Sequence, residues 1–221
     1  MLDIVTDFLE KIEPGEPRQH ANLQVYPLFY SAIHSPEYLT LKEALEKNLL
    51  IISELTKEGS VPELMVENQS DSMVLLLDGE ELMGAKQYRV LNTTILLKKK
   101  SKTTIPVSCT EQDRWSYTSP VFLDSDVVAS SRVRASKISS VSDSLRAGRR
   151  FSADQGEVWE QVRFMSLDAG VLSPTGAMKD VFKKRQKDLN DYLDKFPVSE
   201  GQKGLLVLTD GKVTGLDYIS Y

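Results

Sequence analysis

Residues Asp78–Trp115 read DGEELMGAKQYRVLNTTILLKKKSKTTIPVSCTEQDRW, and the way this stretch pairs with itself organises the rest of the chain. Leu75–Leu77 just before it and Ile95–Leu97 within it are apolar runs with the length of buried strands. Ile105, Pro106 and Val107 predict a short third strand, which the proline places at a sheet edge or a strand end. Strands joined in this way carry the polar residues of their connections to one end of a sheet. Many binding sites are built like this, with function on loops held by a rigid scaffold.

Working outward, Leu2, Val5, Phe8, Leu9 and Ile12 fall on one face of an N-terminal helix, which Pro14, Gly15 and Pro17 stop. Leu23, Val25, Pro27 and Phe29 alternate with Gln24, Tyr26, Leu28 and Tyr30, which predicts a strand over Leu23–Tyr30 buried on both sides. Thr40-Leu-Lys-Glu43 matches a capping box opening a short helix to about Lys47. Leu49–Leu55 and Glu63–Asn68 predict two further strands, and Gln69–Ser72 a turn. After Trp115 the periodicity changes. Asp124–Leu145 lacks Gly and Pro and places Val128, Ala135, Ile138, Val141 and Leu145 at helical spacing, with Gly148 ending the helix. Asp154–Leu167 predicts a helix with Val158, Val162 and Phe164 or Met165 facing inward and Trp159 beside them. Ser173 before Pro174 reads as a cap for a further helix whose stripe runs from Met178 to Phe196. Leu205–Thr209, an Asp210-Gly211 turn and Val213–Ile219 make a closing hairpin. With no internal repeat, the expectation is one α+β domain over residues 1–221: a mixed or antiparallel sheet first, helices next, a β-hairpin last. The chain stops at Tyr221, in or just after the last predicted strand, which is compatible with a truncated C-terminus.

Composition narrows the class. The chain is 41% hydrophobic and 27% charged, ordinary for a soluble globular protein, and long enough for a sizeable core. No apolar run reaches the ~18 residues of a membrane span, and the N-terminus lacks a signal peptide's basic and apolar regions. A single cysteine excludes an internal disulfide and suits a reducing compartment, so a cytoplasmic location is expected. A net charge of -5 argues against general nucleic-acid coating. The exceptions are the lysines of Lys98–Lys102 and the segment Arg132–Arg150, with six basic residues and one acid, where a phosphate-binding surface competes with a solvated helix face.

The chemistry concentrates in residues 80–115. Lys86, Arg89 and Arg114 are cations able to grip phosphate or carboxylate, Arg in bidentate fashion. Gln87, Asn92 and Ser108 offer hydrogen bonds, the carboxylates Glu80, Glu81 and Glu111 could take ribose hydroxyls, and Trp115 could stack on a base. Cys109 reads as a neighbour in the site: four residues separate it from Arg114, one short of the phosphatase spacing, and His20 and His34 are distant in sequence. No zinc-spaced ligand pair exists, and Glu80, Glu81 and Glu111 would converge on Mg²⁺ only if the backbone turned between the adjacent glutamates. No metal site is assigned and the cofactor is unknown. Glycine-rich phosphate loops and G-x-S-x-G or H-E-x-x-H patterns are absent. Two readings stay open. Either the set binds a nucleotide-like ligand, or three carboxylates and three cations form a salt-bridge network in a non-catalytic interaction module.

DGEELMGAKQYR followed by IPVSCTEQDRW resembles the domain named for its association with ADP-ribosylglycohydrolases (ARG) and rhodanese-phosphatase proteins. YLTLKEALEKNLL, SVPELMVEN, DQGEVWEQV and GLLVLTDGKVTGLD also stand in the expected order, so the resemblance covers nearly the whole chain. Tyr88 stands where that family tends to have Asn, and Asp113 where it tends to have Gly. The resemblance implies a neighbourhood in NAD and ADP-ribose metabolism and no reaction of its own. The expected function is therefore binding of a ligand such as ADP-ribose by residues 80–115, with processing of that ligand as its catalytic extension. A processing reaction would be hydrolysis or transfer with Glu81 or Glu111 as general base, and Lys86, Arg89 and Arg114 offsetting phosphate charge.

Overall fold

The computed structural model describes residues 2–30 and 36–219, with side chains from Val5 onward. In chain order the elements are α1 (Leu2–Leu9), β1 (Glu13–Pro14), β2 (Arg18–His20), β3 (Leu23–Phe29), β4 (Tyr38–Thr40), α2 (Leu41–Glu46) and β5 (Leu50–Glu54). β6 (Glu63–Asn68), β7 (Met73–Leu76), β8 (Glu80–Gly84), β9 (Arg89–Leu91), β10 (Ile95–Leu97), β11 (Ser101–Cys109) and β12 (Phe122–Val128) follow. α3 (Ser131–Arg146), α4 (Gln155–Asp168), α5 (Met178–Lys184), α6 (Gln186–Leu193), β13 (Gly204–Thr209) and β14 (Lys212–Tyr218) complete the chain. The class is α+β, with most strands before the helices and a hairpin at the end. Two compact units result, residues 1–37 with 186–221, and residues 38–185.

The terminal unit is an antiparallel sheet in the order β1-β3-β13-β14, with β2 also paired to β3. The hairpin β13–β14 turns at Asp210 (φ 51°) and Gly211 (φ 74°), the left-handed pair that a two-residue hairpin turn requires. Phe8 of α1 packs 5.2 Å from the Tyr30 ring and 5.0 Å from Tyr218. β3 ends one residue short of the expected strand, and only Pro27 and Leu28, which point to opposite faces, are buried in it, so both faces stay partly open.

The unit of residues 38–185 is built on a six-stranded antiparallel sheet, β12-β8-β9-β11-β6-β5, and a smaller sheet, β10-β7-β4. One face of the large sheet packs with α2 and the small sheet around Leu41, Ile52, Leu64, Val74, Leu82, Leu91 and Ile105. Its other face carries Val90 and Val127 against Val133 of α3, Val162 of α4 and Met178 of α5. The capping box at Thr40 forms as expected: Thr40 Oγ1 accepts the Glu43 N–H at 3.3 Å and the Glu43 carboxylate accepts the Thr40 N–H at 2.9 Å.

Four expectations are corrected. β11 is a nine-residue central strand, with β6 against residues 101–106 and β9 against 107–109. Pro106 is tolerated at the handover because its carbonyl is still used, accepting the Asn92 N–H at 3.1 Å. Residues 122–128 are strand β12: the register with β8 shifts between Asp124 and Val128, and Asp126 takes φ 58°, which hides the alternation. α3 therefore starts at Ser131 and buries Val133, Lys137, Val141 and Ser144, while Ile138 and Leu145 face solvent. The stripe after Ser173 is two helices, α5 and α6. Ser173 Oγ accepts the Ala177 N–H at 2.8 Å, but the helix begins only at Met178.

Candidate functional site

The residues singled out in the sequence lie in or beside the large sheet, and strand alternation divides them between its faces. Glu81 is paired with Val90, and Val90 with Ser108, so Glu81 and Ser108 lie on the helix-covered face. Arg89 is paired with Leu82 and Cys109, so both point with Leu82, Leu91 and Val107 toward the opposite core. The sheet thus separates Glu81 from Arg89.

On the helix face, Glu81 is fully buried. Its Oε1 accepts the Thr110 hydroxyl at 2.6 Å and its Oε2 the Ser125 hydroxyl at 2.9 Å. Burial pushes its carboxyl up to about 7, partly offset by those two hydroxyls and by Lys179. Glu80 diverges from it, accepting the Leu77 N–H at 2.7 Å, and burial raises its carboxyl to about 7 as well, helped by Asp124. The turn that would bring the two glutamates onto one ion does not occur. Among the described residues, no group of three or more His, Cys, Asp or Glu could hold a metal ion. Ser108 Oγ donates to Asn92 Oδ1 at 2.8 Å, and Asn92 Nδ2 donates to the Phe151 carbonyl at 3.1 Å.

On the other face Arg89 is fully buried. It donates to Gln87 Oε1 at 3.1 Å, and its Nη2 stands 3.7 Å from Glu54 Oε1. Gln87 Nε2 in turn donates to the Gln112 carbonyl at 3.2 Å. Burial pushes the Cys109 thiol up to about 11, against the pull of Arg89, so at neutral pH it stays protonated. The Cys109 backbone is closed by Gln155, whose amide donates to the Cys109 carbonyl at 2.9 Å and accepts its N–H at 2.7 Å, continuing the ladder where β6 has ended.

Glu111 and Arg114 fix the loop after β11. Glu111 Oε2 accepts Arg114 Nε at 2.8 Å and the Tyr88 N–H at 3.2 Å, while Oε1 accepts the Thr175 hydroxyl at 2.8 Å. Arg114 also donates to the Ala85 and Ser116 carbonyls at 2.9 and 2.8 Å. Gly84 is needed here: it holds φ 124°, and a Cβ would come within 2.7 Å of the Val121 carbonyl. Tyr88 keeps its backbone bond to Glu111, and Asp113 donates its N–H to Thr175 at 3.0 Å, so the positions that depart from the family pattern are held by main-chain contacts.

What stays open to solvent is the edge of this loop. Trp115 is 49% and Tyr117 51% exposed, and the Lys86 ammonium lies 5.2 and 5.0 Å from their ring centres. Thr110, Ser125, Gln155, Thr175 and Tyr117 were not legible as partners, since hydroxyls and amides are common and their pairing is non-local. Of the two histidines, His34 lies outside the described residues, and His20 packs edge-on to Tyr192 at 5.1 Å. The basic segment is largely paired: Arg132 with Asp168 at 3.4 Å, Arg146 with Asp143 at 2.9 Å, Arg150 with Glu63 at 3.1 Å, and Asp78 with both Arg134 and buried Lys137.

Among the described residues, no helix is long and apolar enough to cross a membrane. No curated protein and no solved structure matches the chain. One family does, over residues 11–221, in keeping with the resemblance carried by the central motifs. The chain belongs to the family of the ARG and Rhodanese-Phosphatase-superfamily-associated Protein domain.

Proposed function

We propose that this domain is a non-catalytic binding module in which the polar cluster of residues 80–115 is a structural network. The Glu111–Arg114 pair carries this reading: both Glu111 oxygens already accept protein donors, and Arg114 holds backbone carbonyls. A general base needs a free oxygen within reach of the proton it takes, and a phosphate clamp needs free guanidinium donors. The network instead holds the loop that presents Trp115 and Tyr117, ring types favoured at recognition surfaces. A single buried free cysteine suits a reducing compartment, and the cytoplasm is the location we propose.

A nucleotide-like ligand such as ADP-ribose is the second reading, favoured by the placement of Lys86 between two exposed rings. Rings offer a stacking face for a base and the ammonium a charge for phosphate. Thermal melting with NAD, ADP-ribose, AMP and phosphosugars, on the parent chain and on Trp115→Ala, separates the two readings. A nucleotide ligand at about 100 times its Kd stabilises the parent by ~2.7 kcal/mol and leaves the variant unmoved. Turnover of any panel compound, lost on Glu81→Gln or Glu111→Gln, would overturn the non-catalytic reading.

A further inference from the structure

Arg114 commits its donors to the loop after β11, whereas Arg89 keeps some of its own open. Arg89 is 0% exposed, and its Nη1 donates to Gln87 Oε1. Its Nε and Nη2 have no hydrogen-bond partner among the described residues. Neither has Glu54 Oε1, on a side chain that is 4% exposed. Nη2 and that oxygen stand 3.7 Å apart, close enough for charges to attract but too far for a hydrogen bond. The other Glu54 oxygen accepts the Ser60 N–H at 3.4 Å, which draws the carboxylate toward the connection between β5 and β6. Buried polar groups are ordinarily completed by a partner, and here two donors and one acceptor are left together.

Trp115 covers this pair, with its ring centre 5.8 Å from Arg89 Cζ. The β5–β6 connection flanks the ring: Gly59 holds φ 85° there, and a Cβ on it would come within 3.2 Å of Trp115 Cζ2. Lys86 Nζ donates to the Glu58 carbonyl and the Tyr117 hydroxyl to the Lys57 carbonyl at 3.0 Å, so side chains of the same edge fasten that connection. Trp115 itself is 49% exposed, and its ring has solvent to turn into.

The three open atoms select the ligand. Nε–H and Nη2–H point from one edge of the guanidinium, the edge that grips oxygen in a paired contact. A carboxylate placed there would meet the like charge of Glu54, and an ammonium would meet that of Arg89. A neutral group that accepts from the guanidinium and donates to the glutamate completes all three atoms. The adjacent C=O and N–H of a cis amide do this, and a flat ring carrying that amide also finds the face of Trp115. We infer that Arg89 and Glu54 bind the cis-amide edge of a flat heterocycle, a lactam of the uracil type, which enters as Trp115 turns outward and then lies against its ring. The inference rests on the reading of this domain as a binding module and names the chemistry of its ligand.

The test is amide- and indole-resolved NMR of the full chain, titrated separately with uracil, 1,3-dimethyluracil and benzoate to ~20 mM, a range that detects millimolar binding. Uracil should give a saturable shift at the Trp115 indole and at residues 54–60. 1,3-Dimethyluracil keeps the ring and the oxygens but has no N–H, and benzoate offers a carboxylate. Each should bind at least about tenfold more weakly than uracil, the loss of one hydrogen bond to a charged group. Trp115→Ala should weaken uracil about fivefold or more, the lower end for one base–aromatic stack. Glu54→Gln should weaken uracil and strengthen benzoate, a reversal that an ion pair with no ligand would not produce. Trp115 is exposed, so its variant and the ligand ranking on the parent chain decide the matter if Glu54→Gln fails to fold. No saturable shift with uracil, equal binding of 1,3-dimethyluracil, a parent chain that prefers benzoate, or uracil affinity untouched in every folded variant would overturn the inference. A nucleotide that stabilises the parent chain and binds Glu54→Gln equally well would overturn this ligand assignment and leave the binding module standing.

Discussion

Arg114 Nη2 stands 2.6 Å from Glu111 Oε2, three residues before it, and both side chains are largely buried. The pair ties the end of β11 to the carbonyls at Ala85 and Ser116, so one ion pair sets the course of two chain segments. Removing one partner leaves a buried charge alone, which costs about 3–5 kcal/mol. Arg114→Ala and Glu111→Ala should therefore each lower stability by that amount in urea unfolding. The double variant should lose less than the two single losses added together. Losses below ~1 kcal/mol for both single variants would mark the pair as an exposed contact of little structural weight.

Glu81 makes stability depend on pH in an unusual direction. Its carboxyl is raised by burial from the ordinary 4.5 to about 7, so the folded chain holds that proton more tightly than the unfolded one. Between those values folding takes up a proton, and the Glu81 contribution falls as pH rises. The loss is about 3 kcal/mol and is complete above the folded value. Melting Glu81→Gln beside the parent at several pH values isolates this contribution. The two should be close near pH 4.5, and the variant should be the more stable of the two above neutrality.

Asn68 holds the turn between β6 and β7. It is buried, donates to the Ser72 and Lys98 carbonyls at 2.9 Å each, and accepts the Ser70 N–H at 2.9 Å and hydroxyl at 2.7 Å. Asn68→Ala strips these bonds from a closed site and should cost about 2–4 kcal/mol. Asn68→Asp keeps the acceptor but loses both donated bonds, and chemical denaturation should place it below the parent as well.

Cys109 should be inert in the folded chain. Its thiol is fully buried and pushed up to about 11, so little thiolate forms near neutral pH. Alkylation by iodoacetamide should run at least ~100-fold slower than for a free thiol and recover the free rate in denaturant. Rapid labelling of the native chain would show that the thiol is open to solvent.

The basic stretch should bind nucleic acid poorly. Arg132, Arg134, Lys137, Arg146 and Arg150 are paired with carboxylates, leaving few free charges to displace counterions. Anisotropy titration of a labelled single strand at ~50 mM salt should show no saturable binding; a steep salt-dependent isotherm would contradict this.

The amino-acid sequence alone determined those features whose cause is local. The Thr40–Glu43 capping box, the strand Glu63–Asn68, the helix capped by Asp154 and the Asp210-Gly211 hairpin all form where residue types demand them. Each depends on neighbours a few positions away, so it is written in the order of residues. The family was legible for a related reason: its motifs are contiguous runs.

Only the tertiary structure decided which polar residues meet. Glu81 and Arg89 are eight positions apart and both buried, yet the sheet lies between them. Strand alternation predicts two faces, but what covers each depends on α2, α3, α4 and α5, which arrive from distant parts of the chain. The bulge at Asp126, the central position of Pro106 and the closure of Cys109 by Gln155 have the same origin. Each hydrogen-bonding partner lies far along the chain, and nothing in the local pattern specifies it. The charges of residues 80–115 could be counted from the sequence. Glu111 closes on Arg114 rather than staying free for a ligand because Ala85, Ser116 and Thr175 converge on the same loop.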